Sequence, residues 1–195
     1  MSHASDERAH LADALTEAGP DAPTLCDGWT ARDLAAHLVV RERRPDAGPG
    51  VVLAPLAPWT ERVRRGYADR PFDELVASFR SGPPLFAWTA LPGVDGAVNL
   101  VEHFVHCEDV RRAGPAWEPR GLPADLERAL WRQLTTMARL RYRGSPVGVA
   151  LVVPGGERHV ARRGPDELTL TGLASELVLH AFGRREHARV SVDGG

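Results

Sequence analysis

Apolar positions in the first half of the chain recur at helical intervals. Leu11, Ala14, Leu15 and Ala18 follow i, i+3, i+4, i+7, which predicts a helix capped by Ser5 and ended by Gly19-Pro20. A second helix is predicted from Thr30 to about Arg43. Thr30-x-x-Asp33 has the form of a capping box, and Trp29 at N′ and Leu34 at N4 stand where a hydrophobic staple forms. Pro45 and Gly48-Pro49-Gly50 break this helix. Shorter helical stretches follow near Trp59–Tyr67 and Asp73–Arg80, the second closed by Pro83-Pro84, and another long helix is predicted from about Asn99 to Ala113. Helices joined by short-to-medium loops argue for a four-helix bundle.

The period then changes. Pro123–Arg143 is helical, with Leu126, Leu130, Leu134 and Met137 on one stripe. Val147–Val153, Arg158–Arg162 and Glu167–Thr171 read as short strands, separated by Pro154-Gly155-Gly156 and Gly164-Pro165. Gly172–Phe182 returns to helix, and Ala188–Val192 reads as a last strand. The fold class expected is therefore α plus α+β. A helical bundle spans residues 1–113, a breaker-rich linker 114–121, and a small α+β domain 122–195.

Composition narrows the function. The chain has 195 residues, 43% of them hydrophobic, with a net charge of −2. That is enough to bury roughly 70% of the unfolded surface without staples. The near-neutral balance offers no global basic field for nucleic acid or an anionic membrane. The longest apolar run, Val147–Val153, is far short of the roughly 20 residues that span a bilayer, and MSHASDERAH holds no apolar leader core. A cytoplasmic protein is the expectation. Cys26 and Cys107 are too few for a disulfide framework. All 24 basic residues are Arg, which fits a GC-rich genome, so arginine number alone does not argue for phosphate recognition. Residues 1–113 hold 12 Arg against 17 acids, a net −5; residues 114–195 hold 12 Arg against 9, a net +3.

Candidate chemistry sits on two of the predicted helices. Glu102 and His106 are an i, i+4 pair and share a face. Glu108, Arg111 and Arg112 cluster roughly opposite, and reading that cluster as the solvated face turns Glu102 and His106 inward. A buried carboxylate and imidazole need a partner, and a divalent cation is an inexpensive one. His37, among Leu34, Leu38 and Val40, would complete a His₂Glu set with one position open. Asp109 stands where it can hydrogen-bond one of these ligands. The same residues have plainer readings. A lone histidine on an apolar face is more often a satisfied core residue, and a Glu-x₃-His pair is by default a salt bridge. A rival ligand set also exists, because His103 and Cys107 are i, i+4 and could join Cys26; spacing does not separate the two sets. Cys26 precedes a helix N-terminus, which lowers a thiol pKa, but with no general base beside it in sequence a packing role is expected.

Leu25-Cys26-Asp27-Gly28-Trp29-Thr30-Ala31-Arg32-Asp33-Leu34-Ala35-Ala36-His37 resembles the opening signature of the mycothiol-dependent maleylpyruvate isomerase family, within the DinB/YfiT-like metal-binding superfamily. Glu102-His103-Phe104-Val105-His106 is similar to the family's Glu-x₃-His pair, and Leu173–Arg184 resembles its C-terminal helix ending in Gly-Arg. The resemblance implies a DinB-like bundle followed by a small α+β domain, with His37, Glu102 and His106 as metal ligands. It implies Arg184, with Arg185 as the alternative, as counterpart of the family's catalytic arginine.

The activity so implied is a zinc-dependent, or other divalent-metal, isomerase or S-transferase. Mycothiol serves as thiol cosubstrate and a small electrophile as substrate. The thiolate attacks an electrophilic carbon; an isomerase lets the resulting single bond rotate and expels the thiol, whereas a transferase releases the adduct. Arg184 would grip a substrate carboxylate. Two alternatives use the same ligands: a zinc hydrolase activating water, and a non-enzymatic, metal-stabilised binding protein with a closed site. Neither nucleic acid nor membrane is expected as a partner.

Overall fold

The computed structural model of the chain describes residues 2–47, 53–84 and 94–194. The chain forms two compact units, Met1–Trp117 and Glu118–Gly195. The division falls inside the breaker-rich stretch 114–121. The expected architecture, helical and then α+β, is the one observed.

The first unit holds five α-helices among the described residues: α1 (His3–Ala18), α2 (Ala31–Arg43), α3 (Ala57–Ala68), α4 (Phe72–Arg80) and α5 (Val94–Arg111). A bundle of four was expected; Pro71 at the N-cap of α4 separates the two short helices α3 and α4. The Gly48-Pro49-Gly50 break lies outside the described residues. Ser2, not Ser5, caps α1: its side chain accepts from the Ser5 backbone N–H, and the earlier start adds Ala4 to a buried face that also carries Glu7 and Arg8. The α5 helix likewise starts at Val94 rather than Asn99. Gly96 lies inside α5 despite its low helix propensity. Leu11, Leu15, Leu34, Leu38, Leu75, Phe79 and Cys107 form the core, drawn from α1, α2, α4 and α5.

One consequence reverses an expectation. Glu108 and Arg112 do not form a solvated face: they are 0% and 1% exposed. Arg112 Nε donates to Glu108 Oε2 at 2.6 Å, and the guanidinium stacks over Trp117 at 4.6 Å. Each charge is satisfied by the other, which makes burial tolerable. Only Arg111 of the three is exposed.

The second unit has α6 (Ala124–Arg141), β1 (Val149–Val152), β2 (Arg158–Arg162), β3 (Leu168–Thr171), α7 (Ala174–Ala181) and β4 (Ser191–Asp193). The sheet order is β2-β1-β3-β4, with β1 parallel to β3 and the other pairs antiparallel. The last strand starts at Ser191, later than the predicted Ala188, and a 3₁₀ turn at Arg185–His187 precedes it. Helices α6 and α7 pack together; Leu126, Leu130, Leu134, Leu177 and Leu179 are buried. Met137, expected on the buried stripe, is only half-buried, and Ala138 takes the interior position.

Candidate metal centre

A turn and a cap set the phase of α2. The Trp29 N–H donates to the Cys26 carbonyl at 2.9 Å, and Gly28 between them has φ +72°, the left-handed conformation that a type II turn requires at its third position. Thr24 Oγ1 donates to the Trp29 carbonyl at 2.8 Å, and the Leu25 N–H donates to the Asp109 carbonyl at 3.0 Å, fixing the turn against α5. The capping box is complete: the Thr30 side chain accepts from the Asp33 backbone, and the Asp33 carboxylate accepts from the Thr30 backbone at 3.0 Å. Arg64 of α3 pairs with Asp33 and lies 4.9 Å over the Trp29 ring. Trp29 in turn sits 5.1 Å from the His37 ring. The signature around Trp29 thus holds His37 in one place.

His37, Glu102 and His106 meet across α2 and α5. Glu102 Oε1 lies 3.6 Å from His37 Nε2 and 3.3 Å from His106 Nε2. One ligand atom from each of the three residues lies within 4.8 Å of the others. Ligands about 2.0–2.1 Å from a tetrahedral ion stand about 3.3–3.4 Å apart; two imidazoles and a carboxylate gathered this closely could hold a divalent cation. The side chains are 11%, 24% and 13% exposed.

Behind these three side chains is a second layer. His106 Nδ1 lies 2.9 Å from Asp109 Oδ2, and the Asp109 side chain is fully buried. The same oxygen accepts from the Cys26 thiol at 3.2 Å, and Cys26 Sγ is 3.8 Å from His106 Nδ1. The outward ring nitrogen of His106 therefore faces Glu102 while the inner one is held by a carboxylate, the arrangement that orients metal-binding imidazoles. On the other flank Arg41, one turn after His37, places Nε 3.4 Å from Glu102 Oε1 and donates to Asn99 Oδ1 at 2.8 Å.

These contacts govern charge. Burial raises the Glu102 pKa, but hydrogen bonds from His106 and His37, with the Arg41 charge, hold the carboxyl well below its ordinary range. Burial lowers His37 below the usual histidine value despite Glu102. Burial acts the same way on His106, yet the hydrogen bonds with Asp109, Cys26 and Glu102 outweigh it and carry His106 well above that value.

The structure brings together His37, Glu102, His106 and Asp109. It does not bring together the rival set. His103 turns to the Ala4 carbonyl at 3.0 Å and to Glu42 at 3.7 Å, and Cys107 lies in the hydrophobic core. Cys26 packs against that core, as expected, but it also touches the Asp109–His106 pair, so a base does stand beside it. Arg41 and Asn99 were not foreseen. Their signal was available, since Arg41 follows His37 by one helical turn and Asn99 precedes Glu102 by three residues. Arg184 belongs to the second unit, where its guanidinium donates to the Phe182 carbonyl at 2.6 Å just after Gly183.

A sequence profile described as the mycothiol maleylpyruvate isomerase N-terminal domain matches residues 1–135. A crystal structure of the mycothiol-dependent maleylpyruvate isomerase superposes with a TM-score of 0.66 at 18% identity, covering 98% of this chain and 90% of that one. A histidine-to-alanine mutant of that isomerase superposes with a TM-score of 0.64 at the same identity and coverage. At this identity the likeness is one of fold. Curated protein sequences give no match. Among the described residues, no helix is long and apolar enough to cross a membrane.

Proposed function

The chain belongs to the mycothiol maleylpyruvate isomerase N-terminal domain family, and from that premise we propose that it is a divalent-metal, thiol-dependent isomerase or S-transferase acting on a small electrophile. The observation that carries this reading is the His37–Glu102–His106 set, with its donor atoms within 4.8 Å of one another and its side chains partly exposed. Mycothiol is the proposed thiol and zinc the proposed ion. When bound, the cation supplies a centre that keeps a thiol in its thiolate form at neutral pH.

The chain's own residues have separable tasks. His37 and His106 offer Nε2 atoms toward a common point, and Glu102 offers a carboxylate kept ionised by its neighbours. Asp109 holds His106 by Nδ1, and Arg41 holds Glu102 against Asn99. Trp29 closes the His37 side. Arg184 is proposed to bind a substrate carboxylate as a bidentate donor. The partial exposure of all three ligands favours an open, catalytic type of site over a closed structural one.

The test is a calorimetric titration of the zinc-loaded protein with mycothiol, for wild type and His106→Ala, followed by an isomerisation assay with and without thiol. Thiol binding that disappears in the variant, with activity that requires mycothiol, supports the proposal. Activity toward amides or esters that persists without thiol would move the assignment to a hydrolase.

A further inference from the structure

The second unit contains a cleft that the proposed reaction does not use. Its volume is about 470 Å³, and it is lined by Arg139, Arg143, Val160, Ala161, Arg162 and Arg163. Four of the six lining residues are arginines and none is acidic. Among the described residues, none of the four guanidinium groups is ion-paired with a carboxylate.

Local geometry explains how four cations come to share one wall. Arg139 lies in the last turn of α6, and Arg143 lies in the turn just past the C-cap Tyr142; both line the cleft. A strand normally sends neighbouring side chains to opposite faces. In β2 the register with β1 shifts between Val149 and Ala150, so that Ala161 has no partner across the ladder. The bulge lets four consecutive residues, 160–163, line one cleft. Gly164 fixes the end of this segment, because a Cβ there would stand 2.8 Å from the Gly148 backbone nitrogen. Arg162 reaches across to donate to the Arg143 carbonyl at 2.6 Å, and its buried Nε is left without an acceptor.

The helix dipole accounts for Arg139 at a helix C-terminus, but not for Arg162 at the end of β2 or for Arg163 just after it. Guanidinium groups gathered on one wall repel one another and raise the local positive potential, which an anion joining them relieves. Guanidinium forks match phosphate oxygens, and a cleft of this size is in the range of small-molecule sites. We propose that the cleft formed by Arg139, Arg143, Arg162 and Arg163 binds a small molecule carrying a diphosphate or polyphosphate group. Four guanidinium groups, gathered from the ends of α6 and β2 and the residues just after them, suit a multiply charged oxyanion better than a single carboxylate.

The experiment is calorimetric titration of the full chain with inorganic pyrophosphate, alongside malonate as a dicarboxylate control. The key variant is Arg139→Ala/Arg163→Ala; both side chains are exposed, so their removal leaves the fold intact, as a circular-dichroism melt will verify. The expected result is saturable binding of one pyrophosphate per chain, weakened about tenfold or more in the variant and retained in His106→Ala. Absence of saturable binding, equal binding by the variant, or malonate binding as tightly as pyrophosphate would overturn the assignment.

Discussion

His106 and Asp109 are joined by a 2.9 Å contact between Nδ1 and a fully buried carboxylate oxygen. That single contact fixes which ring nitrogen of His106 faces Glu102, and the orientation of the candidate centre depends on it.

Asp109→Asn keeps the shape but gives up the charge that holds the imidazole. Metal affinity is expected to fall about 10–100-fold, measured by competition with a chromogenic chelator. Affinity within about twofold of wild type would show that Asp109 does not support His106.

The buried ion pair elsewhere in the bundle is a separate matter of stability. Arg8 meets Glu42 at 2.7 and 2.9 Å and donates to the Phe79 carbonyl at 2.8 Å, with both charged side chains buried. The charged state of Glu42 is favoured: burial raises its pKa, but His103 and Arg8 bring it below the ordinary value. Glu42→Gln leaves Arg8 buried without its counter-charge. A loss of about 3–5 kcal/mol in urea unfolding is expected, without change in the metal-ligand set.

Much of this was legible in the sequence, and the boundary of what was legible is physical. The capping box at Thr30 and the phase of His37 follow from local rules, so the start of α2 and the face carrying His37 could be read off directly. Glu102 and His106 share a face for the same reason. The contact of Cys26 with Asp109 joins residues 83 apart in sequence, and no local period encodes it. Glu108 and Arg112 were misplaced because charge was equated with exposure, whereas their mutual pairing and the Trp117 ring let them be buried. The α1 cap moved one turn, to Ser2, because both serines suit an N-cap and only packing chooses between them.

Gly28 tests the turn that leads into α2. Its φ of +72° is strained for other residues, while nothing lies within 4 Å of an added Cβ. Gly28→Ala should therefore cost only the conformational term, about 1–2 kcal/mol, and Gly28→Asn less. Thermal melts of the two variants check the order.

In the second unit, Tyr142 Oη lies 3.0 Å from His180 Nδ1 and the rings stack at 6.1 Å. Burial, and then the Arg185 charge, push His180 down to about 4, while burial raises Tyr142. An unfolded chain takes up this proton near 6.5, the folded one only near 4. The unfolded state thus binds more protons across that window, and stability falls as pH drops from about 6.5 to about 4. Histidine NMR should show His180 titrating near 4 in wild type and higher in Arg185→Ala; a wild-type midpoint near 6.5 would contradict the account.

The most direct measurement is the metal content of purified protein, by plasma mass spectrometry, for wild type, His37→Ala, Glu102→Ala and His106→Ala. About one divalent ion per chain in wild type, lost in each variant while the fold persists, is the predicted result. No stoichiometric metal in the zinc-supplemented wild type, or full retention in all three variants, would contradict the assignment of His37, Glu102 and His106 as a metal centre.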